Sequence, residues 1–179
     1  MPGSAALAQQ LQEVVRATGI ASPITTRRGL SARLRYLASK PGRAALTEAG
    51  VTVRPSVLRA YADGTRAPRP ATLGKIERAY FERRAENMIR SGALQKHFEQ
   101  DGAGTRMEIY PVDQSQVSDP RRRVLGDRTV TVRYVWGDLV HAWDEGDDAT
   151  MDDIWDSIIN DLIGSDYDAY SYVTGVGFA

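Results

Sequence analysis

The chain has 179 residues, with 23 Lys and Arg against 23 Asp and Glu, two histidines and no cysteine, a length for one ordinary domain or two small ones. The missing cysteines exclude disulfides and thiolate metal sites, no apolar run approaches the roughly 20 residues of a membrane helix, and the start, MPGSAALAQQLQEVVR, lacks the basic region and apolar core of a secretory signal. The zero net charge hides a division: residues 1–100 hold 17 Lys and Arg against 7 Asp and Glu, residues 101–179 hold 6 against 16, and no Lys or Arg follows Arg133.

In chain order, SAALAQQLQEVVRATG has the pattern of a helix, with Ser4 as N-cap, an apolar stripe of Leu7, Leu11, Val14 and Val15, and Gly19 at its end. After a break at Pro23, Thr25 or Thr26 caps a second helix. Leu30, Leu34 and Leu37 share one face, Arg27, Arg28, Arg33 and Arg35 lie mostly off it, and Pro41-Gly42 reads as its stop. GRAALTEAG predicts a two-turn helix with Ala45, Leu46 and Ala49 buried and Gly50 as the left-handed residue beyond its end. In VTVRPSVLRAYADG, Pro55 suits the first helical position, Val57, Leu58 and Tyr61 supply apolar contacts, and Gly64 ends the helix. A helical pattern with Leu73, Ile76, Ala79 and Tyr80 follows Pro70 and continues toward Gln100, with a break at Gly92. The turn cluster DGAG, residues 101–104, is the expected domain boundary.

Beyond it the period changes. RMEIYPV predicts a short strand and DQSQVSDPRRRVLGDR an exposed loop or hairpin. TVTVRYVW, over 129–136, alternates as a strand, with Val130, Val132 and Tyr134 on one side and Thr129, Thr131 and Arg133 on the other. GDLVHAWDEGDDAT fits no single pattern. Thr150 is placed to cap a helix over MDDIWDSIINDLIG, with Asp152 and Asp153 in its first turn and Ile154, Ile158 and Leu162 as its stripe, Trp155 beside them. DAYSYVTGVGF predicts a final strand at a sheet edge. The expected fold is α+β: an all-α domain over 1–100, then an acidic sheet-plus-helix module over 105–179.

The two short helices around AGVTVRP, flanked by longer ones, have the form of a helix-turn-helix. Gly50 permits the turn, and Val51 and Val53 wedge between the helices. This holds the second helix clear of the core, where Arg54, Ser56 and Arg59 can reach base edges. Arginine suits that task because its fork matches the O6 and N7 of guanine. Lys40, Arg43, Thr52, Arg66 and Arg69 are placed for the DNA backbone. The alternative is a helical hairpin whose basic face is merely solvated, or one that docks an acidic protein.

The run LSARLRYLASKPGRAALTEAGVTVRPSVLRAYADGTRAPRPATLGKIERAY resembles the helix-turn-helix region of actinobacterial telomere terminal proteins, which cap linear replicons. The pattern lies in "ARLRYL", "AALTEAGV", the Val-Leu-Arg-Ala-Tyr helix and "LGKIERAY", and extends over residues 30–179. Regulators of the lambda-repressor type share its "G-x-R-x-P…L-x-K-I" end. The terminal-protein resemblance implies a threonine hydroxyl that carries the DNA 5′ phosphate, for which Thr105, Ser115, Ser118, Thr129 and Thr131 are the hydroxyls considered.

No phosphate-cradling glycine loop is present, and the glycines of TGVGF read as a bulge or bend. His97 and His141 have no metal-ligand spacing and read as surface or partly buried residues. Asp144, Glu145, Asp147, Asp148, Asp152 and Asp153 lack the order of a calcium loop and read as a solvated acidic surface, or as one that imitates DNA phosphate or docks a basic partner. Trp136, Trp143, Trp155, Tyr167, Tyr170 and Tyr172 concentrate in the same module, as interface residues do, Trp155 reading first as core. The expectation is a DNA-binding protein with no catalytic residue, metal or cofactor. It acts on duplex DNA of a replicon as a regulator or a terminal-protein-like factor, forms a homodimer through 105–179, and is cytoplasmic and nucleoid-associated. A protein primer at DNA ends, with a replication partner, and a protein-interaction adaptor are the alternatives.

Overall fold

A computed structural model of the chain describes residues 1–112, 125–164 and 169–179. The fold is α+β and divides into two compact units, a helical one of Val14–Met88 and a sheet-bearing one of Met1–Glu13 with Ile89–Ala179. The division falls inside α1 (Gly3–Ala17) and near the end of α5 (Pro70–Arg90). The turn at 101–104, expected as the boundary, therefore lies within the sheet unit, because Leu7, Leu11, Leu94 and Phe98 are buried as part of that unit.

The helical unit is built from α2 (Arg27–Tyr36), α3 (Lys40–Glu48), α4 (Pro55–Asp63) and most of α5. Thr26 caps α2 by accepting the Gly29 amide at 3.0 Å. Pro41 and Gly42 do not stop that helix. α2 ends at Tyr36, and Ser39 caps α3 through the Gly42 amide at 3.2 Å, so Pro41 sits in a first turn where its missing N–H costs no helical bond. One core joins Leu30, Leu34 and Leu37 of α2, Ala45 and Leu46 of α3, Val51 of the turn, Tyr61 of α4, and Ile76, Ala79 and Tyr80 of α5. Arg33, expected off the apolar face, is buried. Its guanidinium donates to the Gly29 carbonyl one turn back in α2 at 3.1 Å, and to the Ser22 and Ile20 carbonyls of the segment before α2 at 2.7 and 3.4 Å.

The sheet unit holds α6 (Ala93–Glu99), a 3-10 turn over Gln100–Gly102, β1 (Thr105–Pro111), β2 (Arg128–Val132), α7 (Trp136–Glu145), α8 (Asp148–Ile163) and β3 (Val173–Phe178). Its sheet is antiparallel in the order β2-β1-β3, with Met107 opposite both Val130 and Phe178. Met107, Ile109, Val132, Val173 and Val176 are buried, while Arg106, Thr129 and Thr131 are exposed, so one face is core and the other solvated. The register shifts beside Tyr110 and Pro111. Gly175 and Gly177 leave room there for the Tyr110 ring, which covers the glycines of the edge strand.

Three expectations in this unit change. Ser4 is not the cap of α1: the helix starts at Gly3, whose amide donates to the Ser171 carbonyl at 3.1 Å and whose missing side chain makes room for the Trp155 indole. α8 begins earlier than expected, capped by Asp147 rather than Thr150, because the Asp147 carboxylate accepts both the amide and the hydroxyl of Thr150 at 3.1 and 2.6 Å. Asp152 and Asp153 thus lie beyond its first turn, and Leu162 is exposed. The strand ends at Val132, and Tyr134 is exposed with φ of 64°. Trp136, two residues on, is buried. Its ring stacks on Phe98 at 4.6 Å and its indole N–H returns to the Val132 carbonyl at 3.1 Å. GDLVHAWDE, ambiguous in sequence, is α7.

Candidate nucleic-acid interface

The turn between α3 and α4 is closed by the chain itself. The Gly50 amide donates to Thr47 at 2.9 Å and the Val51 amide to Leu46 at 2.8 Å, while Leu46 and Val51 are both buried. This is the six-to-one and five-to-two pairing of a Schellman end, and it needs the φ of 83° that Gly50 adopts. Two cations of α5 complete it: Lys75 Nζ donates to the Gly50 carbonyl at 3.2 Å and Arg78 to the Ala49 carbonyl at 2.9 Å. Sequence reading missed this use of Lys75 and Arg78, because acceptors 25 and 29 residues away leave no mark on the helical period.

α4 leaves that turn with Pro55 at its first position and no side-chain cap at Arg54; the Val57 and Leu58 amides donate to the Arg54 carbonyl at 2.9 and 3.2 Å. Arg54, Ser56 and Arg59 are all exposed, whereas Val57 and Leu58 are half-buried against the core and Tyr61 is buried. Gly64 ends the helix in the left-handed region, as expected. Lys40, Arg43, Thr52, Arg66 and Arg69 are exposed as well. Arg43 and Arg59 are brought together on one groove of about 370 Å³, which they share with Arg35 over a floor that includes Leu34 and Leu58. Arg54 and Ser56 stand at the opening of α4, and Arg66 and Arg69 follow its end. The helical unit as a whole holds 15 Lys and Arg against 5 Asp and Glu, a net charge of +10.

The hydroxyls implied by the terminal-protein resemblance are distributed differently. Thr105 is buried and donates to the Phe98 carbonyl at 2.6 Å, so it is occupied structurally. Thr129 and Thr131 are exposed on β2, and Ser115 and Ser118 lie outside the described residues. His97 and His141 are exposed, His141 lying 3.5 Å from the Glu145 carboxylate. Among the described residues no three His, Asp or Glu gather as metal ligands. Trp136, Trp155 and Tyr170 are buried in the core and Trp143 is half-buried, whereas Tyr172 is exposed; Tyr167 lies outside the described residues. No described helix is long and apolar enough to cross a membrane. Comparison with protein-family models, curated proteins and solved structures yields no match to this chain.

Proposed function

We propose that this chain is a helix-turn-helix protein that binds duplex DNA of a replicon, as a regulator or in a terminal-protein-like role. The observation that carries the reading is α4. Its outer side presents Ser56 and Arg59 to solvent and its N-cap residue Arg54 is exposed, while Leu58 and Tyr61 tie its inner side to the core. A short helix held this way, with one exposed arginine at its start and another along its outer side, can enter a major groove and match the acceptors of guanine. Lys40, Arg43, Thr52, Arg66 and Arg69 would lie against phosphates on either side. The acidic sheet unit carries 11 Asp and Glu and no Lys or Arg over 137–179. It repels the duplex and serves instead to join two copies or to dock a partner protein.

Fluorescence anisotropy of the full chain on labelled duplexes tests the reading. Each neutralised phosphate contributes about −0.9 to the slope of log affinity on log salt, so six to ten contacts reduce affinity by about 10³–10⁵ between 50 and 200 mM. Affinity that is flat over that range, or the absence of binding, refutes DNA binding by the helical unit.

A further inference from the structure

The groove shared by Arg43, Arg59 and Arg35 does not stop at Arg35. A second cleft adjoins it, formed by Arg27, Arg28, Ser31, Arg35, Ala62 and Asp63. The two have Arg35 and Ala62 in common. Together they make one trough that runs from Arg43 and Pro55, past Arg59, to the start of α2.

Five arginines line this trough against the single carboxylate of Asp63. All five are exposed, and among the described residues none of them is in an ion pair. Arg35 reaches only the Ser31 hydroxyl, at 3.5 Å. The contrast within α2 is informative. Arg33 is consumed by backbone carbonyls and by Glu77 at 3.6 Å, whereas Arg27, Arg28 and Arg35 point their charge at solvent on the α4 side. A row of unneutralised like charges in a concave surface concentrates positive potential and favours a polyanion.

We propose that this edge of α2, with Arg27, Arg28 and Arg35, is a second grip on the DNA backbone, beside the C-terminal half of α4. The inference rests on the DNA-binding reading above and adds the side of the duplex that α2 would hold. Arg28 and Arg35 are seven residues apart, roughly 10 Å along a helix, so the edge addresses more than one phosphate. The apolar lining suits the same ligand: a DNA strand alternates phosphates with apolar deoxyribose, and Leu58 and Ala62 line the groove together with Arg35, Arg43 and Arg59. An acidic amphipathic helix of a protein would satisfy charge and floor too. DNA is favoured because Arg59, on the proposed reading helix, lines the same trough.

The experiment compares the full wild-type chain with a triple variant, Arg27→Ala, Arg28→Ala and Arg35→Ala, by anisotropy from 50 to 200 mM salt. The double variant Arg28→Ala, Arg35→Ala is measured alongside, because Arg27 also packs over Gly64 and its loss can disturb folding. Arg106→Ala, an exposed arginine on the solvated sheet face, controls for charge alone. The expected result for the triple variant is at least a tenfold loss of affinity at 50 mM, equal on preferred and unrelated duplexes. Its salt slope should be shallower by about 2 to 3, with the double variant intermediate and Arg106→Ala unchanged. Wild-type affinity and slope in both α2 variants, while Arg54→Ala still alters sequence preference, overturns the second grip and leaves the reading helix standing. Loss of binding to polyglutamate with DNA binding intact assigns the trough to an acidic polypeptide and also overturns it. A wild-type chain that binds no duplex overturns both this inference and the reading beneath it.

Discussion

The guanidinium of Arg33 lies over the ring of Tyr80, 5.2 Å from its centroid, inside the core of the helical unit. Tyr80 in turn accepts the Ile20 amide through its hydroxyl at 2.9 Å, and Arg33 donates to the Ile20 carbonyl, so the two side chains clamp the segment that leads into α2. Removing Arg33 leaves the Ser22, Gly29 and Ile20 carbonyls short of a donor in a buried site. Arg33→Ala is expected to cost about 3 kcal/mol. Arg33→Lys is expected to cost about 1–3 kcal/mol, because an ammonium lacks the planar fork that reaches several acceptors at once. Urea unfolding of the two variants checks this, and a lysine variant as stable as wild type would show that charge alone suffices.

That residue also marks where the sequence ceased to be legible. Gly50, Pro55 and Gly64 could be read directly, since left-handed backbone and a helical first position depend on the residue itself. The α3–turn–α4 scaffold followed from them, and the eight residues expected to face DNA are all exposed. Arg33 failed because the Ser22 and Ile20 carbonyls come from the segment before the helix and Glu77 from α5, and a helical period assigns a charge to the surface by default. Pro41 reads equally as a stop or an opening, and only the Ser39 cap decides between them. Tyr134 continued the alternation of β2, but the strand ends at Val132 and Tyr134 takes a left-handed φ before Trp136, which stacks on Phe98. The packing of 1–13 with 89–179 is a long-range relation that no local window carries.

Within the proposed interface, base-reading and backbone residues separate by their effect on sequence preference. Arg54→Ala and Arg59→Ala are expected to relax discrimination by roughly 1–3 kcal/mol at the bases they contact. Arg66→Ala and Arg69→Ala are expected to weaken all duplexes alike, each reducing the salt slope by about 1. Selection from random DNA followed by anisotropy distinguishes the two groups. Identical behaviour of all four variants would mean that α4 is not the reader.

Asp147 gives a pH-dependent test of the sheet unit. Hydrogen bonds from the Thr150 hydroxyl, and then from its amide, hold the Asp147 carboxyl below the ordinary carboxylate range. A folded pKa below the unfolded value means that the ionised cap stabilises above the unfolded pKa, near 3.9, and that this contribution is lost as pH falls through the folded value. Asp147→Asn keeps a capping oxygen and removes only the charge, so it is expected to lower the melting temperature by about 1–3 degrees at pH 7. The gap from wild type should narrow steadily below about pH 4. Calorimetry from pH 7 to pH 3 measures it, and a gap independent of pH contradicts the role of the charge.

The last prediction concerns the assembly that would place two reading helices on one duplex. β3 is an edge strand, as expected, but the sequence offered the whole of 168–178 for pairing with a second copy. The structure narrows this. The amino group of Met1 donates to the Val173 carbonyl at 2.8 Å, the Val173 amide donates to the Met1 carbonyl at 2.9 Å, and Pro2 bridges to Tyr172. The start of the edge is thus occupied by the chain's own first residues, and only 174–178 is left for a partner strand. Five residues match an ordinary strand in length, and antiparallel pairing about a two-fold axis would join the two sheets of the dimer into one. The predicted species is a homodimer of twice 19.7 kDa that protects two half-sites about one helical turn, roughly 34 Å, apart on DNA. Light scattering at tens of micromolar and footprinting on a selected site check the two parts separately. A monomer mass that coincides with a single protected half-site rules out the dimer, whereas a monomer mass with two protected half-sites places its assembly on the DNA.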